Sequence, residues 1–241
     1  MIDGLSVAAI IGARGNSKGL PGKNVAPLGG RPLLEWSIAA AVESAYIDEV
    51  CVTSDDADIL AVAGATGDIT IVHRPDRLAT DTARVEDAIL HALDNLEGQF
   101  DLVVLLQPTS PLRTASDIDG TIQACISAAS PAAVSVTTPS KSPYWMCTMR
   151  EDGTLKPLIE ADIPIHRRQD LPEAFSYNGA VYVARTEYFR EHHTFFGNDT
   201  VGYLMPPERS IDIDTELDLR LAESVISGSV QNSAKPGIIN P

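Results

Sequence analysis

The sequence predicts an α/β fold, a mostly parallel, Rossmann-like sheet with helices on both faces. Short and wholly apolar runs recur along the chain, the pattern of strands buried on both sides. Amphipathic segments of helical period lie between them. Such alternation implies right-handed crossovers that return each strand parallel to the last. With 241 residues the chain can bury a sizeable core, and one domain with a small insertion accounts for it better than two independent units.

The first strand is expected over Leu5 to Ile11, apolar throughout. A helix follows from Arg31 to Val42, with Pro32 where an opening helix tolerates it. Glu49 to Thr53 forms a second strand, and Ser54-Asp55-Asp56 caps a helix to about Ala63. Ile69 to Val72 is a third strand. The helix from Ala83 to Leu96 carries Val85, Ala88, Ile89, Ala92, Leu93 and Leu96 along one face. Asp101 to Leu106 is a fourth strand, Ser116 or Asp117 caps a helix to about Ala129, and Ala132 to Thr137 is a further strand. Pro143, Pro157, Pro164 and Pro172, with alternating pieces such as Thr154 to Ile159, mark 140–176 as an antiparallel insertion. Asn178 to Ala184 returns to the sheet, Glu187 to His192 is a short helix, and Val201 to Met205 a strand. Thr215 to Ile226 closes the fold with Leu217, Leu221, Ala222 and Val225 inward. Residues 228–241 have little to bury and read as a disordered tail. The α/β domain is thus 1–139 with 177–227.

Composition narrows the function. A formal net charge of -15 argues against a nucleic-acid partner, because such binding needs Lys and Arg against phosphates. No apolar run reaches the roughly 18 residues that would span a membrane. Met1-Ile2-Asp3-Gly4 opens no basic, then apolar, leader. The three cysteines, Cys51, Cys125 and Cys147, have no paired metal spacing, Cys51 and Cys125 lie in apolar runs, and they read as reduced core residues of a cytosolic protein.

Against that acidic background, the run Ala13-Arg14-Gly15-Asn16-Ser17-Lys18-Gly19-Leu20-Pro21-Gly22-Lys23-Asn24 gathers three cations and three glycines directly after the first strand. Glycine lets backbone N–H groups approach a ligand, and a cationic, glycine-rich turn at the carboxyl end of a strand suits a nucleoside triphosphate. The P-loop pattern fails, since Gly22-Lys23 is followed by Asn24 and Ser17 stands where its first glycine belongs. The dinucleotide fingerprint fails at Gly12-Ala13-Arg14-Gly15. A plain surface turn would suit the Gly, Asn, Ser and Pro content but gives no reason to concentrate cations.

Near the other end, Ile211-Asp212-Ile213-Asp214 alternates with period two, so an extended backbone presents both carboxylates on one face. Two hard oxygen ligands suit Mg²⁺. The competing reading is structural, because Thr215 and Asp218 have capping-box spacing and Asp214 could serve as a cap or a solvated acid. Gln107 ends a buried strand and its amide needs a partner. Arg77 and Arg84 read as solvated charges. Neighbouring residues on a helix point apart, so His192-His193 reads as helix-end charge.

The run 13–24 resembles the signature loop of the CMP-sialic acid synthetases, the acylneuraminate cytidylyltransferases, which is approximately A-R-x-x-S-K-G-[LI]-P-x-K-N. The runs Leu106-Gln107-Pro108-Thr109-Ser110-Pro111-Leu112-Arg113, Arg167-Arg168-Gln169-Asp170-Leu171-Pro172, Tyr177-Asn178-Gly179-Ala180 and Asp212-Ile213-Asp214-Thr215 are similar too, in the family's order. The resemblance implies a nucleotidyltransferase sheet and a reaction in which a sialic-type (nonulosonic) acid attacks CTP, giving the CMP-sugar and pyrophosphate. It implies that Arg14, Lys18, Lys23 and Asp212 carry catalysis, and that Ala13, Arg14, Gly15, Ser17, Asn24, Arg74 and Thr82 hold the nucleotide. By the same likeness Gln107, Arg168, Gln169, Tyr177 and Asn178 hold the sugar, Arg168 meeting its carboxylate, and Asp212 and Asp214 ligate Mg²⁺. A homodimer follows, with 140–176 as the dimerisation insertion. N-acetylneuraminate is the default sugar, although legionaminic and pseudaminic acids differ at only a few carbons. An octulosonate (Kdo-type) cytidylyltransferase and an inactive nucleotide-sugar binding module are the alternatives.

Overall fold

The computed structural model describes residues 2–15, 19–160, 167–228 and 237–238. In chain order the elements are β1 (Val7–Gly12), β2 (Pro27–Leu28), β3 (Arg31–Pro32), α1 (Leu33–Val42), β4 (Glu49–Ser54), α2 (Ala57–Gly64), β5 (Thr70–His73), α3 (Val85–Asp94) and β6 (Leu102–Leu106). They continue with α4 (Ala115–Ser127), β7 (Ala132–Thr137), β8 (Cys147–Met149), β9 (Leu155–Pro157), β10 (Ser176–Arg185), α5 (Thr186–His192), β11 (Val201–Leu204), α6 (Glu216–Ser227) and β12 (Gly237–Ile238).

The main sheet has the order β12-β11-β7-β10-β6-β1-β4-β5. β1 lies parallel to β4 and β6, β4 to β5, and β7 to β11, whereas β10 runs antiparallel to both its neighbours. The wholly apolar runs are the central strands, and side-chain alternation sends their residues to two cores. Val7, Ala9 and Ile11 pack with Leu34, Ile38, Ile118 and Ile122 on one face. Ala8 and Ile10 pack with Ile89, Leu93, Phe189 and Phe195 on the other. Burying each such Ile or Leu is worth about 1.5–3 kcal/mol, which makes the sheet a stiff base for the loops at its edge.

Several local expectations need correction. The N-cap of α4 is Thr114 rather than Ser116 or Asp117; Asp117 stands at N3 and closes the capping box with it. The first helix starts at Leu33 because Arg31 and Pro32 pair in the β2–β3 hairpin. In α6, which opens on the Thr215–Asp218 capping box, Leu219, Ala222 and Ile226 meet Leu28, Leu33 and Ile213, while Leu217 and Leu221 stay 75% and 51% exposed. Val85 leaves the core face of α3 and is exposed.

Within 140–176 the β8–β9 hairpin is antiparallel, and 161–166 lie outside the described residues. Of the expected tail, Gly228 ends α6, and Gly237–Ile238 pair with Tyr203 and Leu204; the remainder also lies outside the described residues.

Candidate active site

The parallel strands β1, β4, β5 and β6 deliver their carboxyl ends to one edge, where ligands of such sheets bind. A cavity of about 480 Å³ opens there, lined by Gly12, Arg14, Gly19, Lys23, Asn24, Arg74, Thr80, Arg84, Val85, Gln107, Thr109, Asp212 and Asp214 among others.

The glycine-rich loop is tied down on both sides of the cavity. Ala13 is buried and its N–H donates to the Thr53 carbonyl at 3.1 Å. The Gly15 N–H donates to Asp55 Oδ1 at 3.1 Å, and a Cβ on Gly15 would stand 2.6 Å from Asp56 Oδ2. Asn24, buried, donates from Nδ2 to the Arg14 carbonyl at 2.9 Å. Its side chain therefore shapes the turn. On the return, a Cβ on Gly19 would lie 2.5 Å from the Asp214 carbonyl oxygen. Only glycine permits that approach. Ser17 and Lys18 lie outside the described residues.

Two cations flank the opening. Arg14 reaches Asp81 at 3.5 Å. Lys23 donates from Nζ to Asp214 Oδ1 at 3.0 Å and to the Ile213 carbonyl at 3.2 Å. A third, Arg74, is buried beneath them; its Nη2 donates to the Thr53 carbonyl at 2.9 Å. Its Nε has no partner among the described residues. Burial pulls the Arg74 guanidinium below its ordinary value, Asp55 opposing and Arg14 adding to the effect. A desolvated cation with an unsatisfied donor beside a cavity calls for an anion. Thr80 lines the cavity, with the Thr82 hydroxyl 3.5 Å from its own. Arg84, expected as a solvated charge, also lines the cavity; it donates to the His193 carbonyl at 3.1 Å and pairs with Glu86.

Asp212 and Asp214 line the same cavity, Asp214 in direct contact with Lys23. Their segment is pinned by the Ile213 N–H on the Thr109 carbonyl at 2.8 Å. Arg209 adds a two-pronged bond to the fully buried Asp117, both contacts at 2.9 Å. The Thr215–Asp218 capping box forms as its spacing indicated, and it leaves Asp212 and Asp214 outside the helix. Desolvation pushes the Asp212 carboxyl up from its ordinary value of 3.8; the Thr109 hydroxyl and Lys23 oppose this, and Asp214 and Asp218 reinforce it. Among the described residues no cluster of three or more His, Cys, Asp or Glu forms a closed metal cage. Two crowded carboxylates, one of them strained toward its neutral form, fit a cation that takes its remaining ligands from water and phosphate, as Mg²⁺ does.

The sugar-side expectations divide. Gln107 lines the cavity. Asn178 is buried with its amide saturated, Oδ1 accepting from Ser135 Oγ at 2.6 Å and Nδ2 donating to Ser210 Oγ at 2.9 Å. Tyr177 is exposed and packs edge-on against Phe196. Gln169 lines a separate hollow of about 260 Å³ with Ser142 and Glu173, and the side chain of Arg168 lies outside the described residues. Arg113 stands in the sequence only as the last residue of the 106–113 run, with no role of its own and as a lone charge after an uncharged stretch from Leu102, yet it is buried and bonds the Gln107 carbonyl.

Parallel strands that end at a cavity lined by three cations and two carboxylates define a nucleotide-binding α/β protein. The cytidylyltransferase family model matches residues 8–218, and the chain belongs to that family. It is 33% identical over 227 residues to the CMP-N,N'-diacetyllegionaminic acid synthase of Legionella pneumophila, covering 92% of this chain and 97% of that one. It is 32% identical to the N-acylneuraminate cytidylyltransferase of Escherichia coli over 91% of this chain, and there it spans only 52% of the relative. The fold is also that of a solved CMP:2-keto-3-deoxy-manno-octonic acid synthetase complexed with CTP, at TM-score 0.71 and 17% identity, covering 93% of this chain and 100% of that one. Among the described residues no helix is long and apolar enough to cross a membrane.

Proposed function

We propose that the protein transfers the cytidylyl group of CTP to a nonulosonic acid, forming the CMP-sugar and releasing pyrophosphate. The observation that carries this reading is the convergence of Lys23, Arg14 and Arg74 with Asp212 and Asp214 on one cavity. The names of the Legionella and Escherichia relatives support the sugar class.

In this reaction the anomeric hydroxyl of the sugar attacks the α-phosphorus, and the bond to the β-phosphate oxygen breaks. Such a transfer asks the protein for alignment and charge neutralisation rather than covalent chemistry. Arg14 and Lys23, with Lys18, hold the β- and γ-phosphates and stabilise the departing pyrophosphate. Arg74 offers its unpaired Nε to a phosphate or ribose oxygen, while Ala13 and Gly15 fix the loop and Thr80 and Thr82 border the nucleoside. Asp212 and Asp214 would hold Mg²⁺, which supplies Lewis-acid polarisation of the phosphoryl oxygens. Gln107 meets a sugar hydroxyl. The bound phosphates compete with Asp81 for Arg14 and with Asp214 for Lys23.

The reading includes a homodimer. The β8–β9 hairpin exposes Met149 at 74% and Leu155 at 58%, with Leu158, Met146 and Trp145 beside them. Exposed apolar side chains gathered on one hairpin support an interface here. In this reading a second copy covers the hairpin, and Arg168, Gln169 and Tyr177 serve the sugar pocket, Arg168 against the carboxylate. A cytoplasmic site, where CTP is available, accords with the buried free thiols of Cys51 and Cys125.

The test is pyrophosphate release from CTP with N-acetylneuraminate, N,N'-diacetyllegionaminate, pseudaminate and 3-deoxy-manno-octulosonate. Turnover with a nine-carbon acid supports the reading. Turnover with the octulosonate alone, or none despite CTP binding, replaces it with one of the two alternatives.

A further inference from the structure

Arg113 directly follows the Gln107–Leu112 segment and is 3% exposed. Its guanidinium donates from Nε to the Ala180 carbonyl at 2.8 Å, from Nη1 to Ser37 Oγ at 2.8 Å, and from Nη2 to the Gln107 carbonyl. All three acceptors are neutral, and they belong to β10, α1 and the residue directly after β6. Burial pulls this guanidinium down to about 9, with Asp117 and Asp212 opposing. Burying a cation among neutral acceptors is costly, so purely structural bridging would be met more cheaply by an uncharged side chain. What arginine adds is a rigid fork that fixes acceptors in three directions at once.

Two of those acceptors frame the sugar side of the cavity. Gln107 is the residue by which β6 opens into it. Ala180 follows Gly179, which sits at φ 74 in the irregular part of β10 between Tyr177 and Tyr182. A Cβ on Gly179 would lie 3.0 Å from Gln107 Oε1 and 3.9 Å from Asp212 Oδ2. The left-handed glycine thus lets the β10 backbone close on the amide, and Arg113 holds the main chain on both sides of that contact.

We propose that Arg113 is a positioning residue for acceptor-sugar binding, acting through Gln107 by locking the main chain beneath its amide against the Gly179 turn. This rests on the reading of Gln107 as a sugar contact. The side chain touches neither substrate, so its loss acts on sugar affinity and leaves the triphosphate contacts of Arg14, Lys23 and Arg74 in place.

The experiment compares KM for the sugar and for CTP in the full-length protein, in Arg113→Lys, Gln107→Ala and the double variant. The sugar is whichever of N-acetylneuraminate and N,N'-diacetyllegionaminate supports turnover. Arg113→Lys is expected to raise the sugar KM about ten-fold, the scale of a small misplacement of a binding group, with the CTP KM unchanged. In the double variant it should add nothing to the effect of Gln107→Ala. If Arg113→Lys does not fold, Ser37→Ala, which removes one acceptor, replaces it and is expected to raise the sugar KM alone. Additive effects, an equal rise in both KM values, or an unchanged sugar KM beside a raised one in Gln107→Ala would each overturn the proposal. An unchanged sugar KM in Gln107→Ala would instead overturn the reading of Gln107 and this role with it.

Discussion

Lys23 Nζ lies 3.0 Å from Asp214 Oδ1 although 191 residues separate them. The Lys23 side chain is 15% exposed and that of Asp214 71%, so the pair forms the rim of the cavity and not part of the core. It joins the loop after the first strand to the segment before the last helix. The proposed site depends on that closure.

Asp212→Asn should lower turnover about 100-fold or more, the scale for losing a group that stabilises transition-state charge, while thermal unfolding stays put or moves slightly upward. The carboxylate is desolvated and crowded by Asp214 and Asp218, so neutralising it relieves the folded state. A large fall in melting temperature would show that Asp212 is structural.

The raised Asp212 carboxyl also fixes the sign of a pH effect. The folded state holds this proton more firmly than the unfolded chain, so the contribution of Asp212 to stability falls as pH rises through the window between 3.8 and its folded value. Activity runs the other way, since the carboxylate is the useful form. The acid limb of the turnover profile should therefore lie above 3.8 and move to lower pH as Mg²⁺ is raised. A limb insensitive to Mg²⁺ would separate Asp212 from the cation.

Arg74→Lys should raise the CTP KM about ten-fold and leave the sugar KM unchanged, because lysine loses both the Nη2 bond to Thr53 and the spare Nε that fits an anion. A charge-assisted hydrogen bond is worth about 1.5–3 kcal/mol, which is the basis of that estimate. Equal CTP affinity by calorimetry would remove Arg74 from the nucleotide.

Gly179→Ala should cost about 1–2 kcal/mol for the left-handed backbone alone and should push Gln107 away from its seat. Chemical denaturation reads the first effect and the sugar KM the second. A variant with wild-type values in both would show that the Gly179 turn is not constrained by its contact with Gln107.

The wholly apolar strands and the glycine-rich loop were legible because their signal is local: a buried strand needs a continuous run, and a cation cluster stands out in an acidic chain. The α6 face was misread because Leu217, Leu219 and Leu221 place apolar groups on both sides of the helix; of the two helical-period faces the sequence offers, the one with Leu219, Ala222 and Ile226 meets Leu28, Leu33 and Ile213. The contacts of Arg113, although it ends the 106–113 run, and the Arg209–Asp117 pair were illegible for a different reason. Their roles are defined only by what they touch across the sheet, and no spacing within the chain encodes a partner 92 residues away. Asn178, expected at the sugar, shows the converse, since a buried amide is satisfied by whichever polar atoms the fold brings, here Ser135 and Ser210.

If the two ends of the chain close on one CTP, a diffraction structure of protein crystals soaked with CTP and Mg²⁺ will show the triphosphate against Arg14 and Lys23 and a cation on Asp212 and Asp214. Triphosphate density outside this cavity, or a cation that touches neither carboxylate, would contradict it.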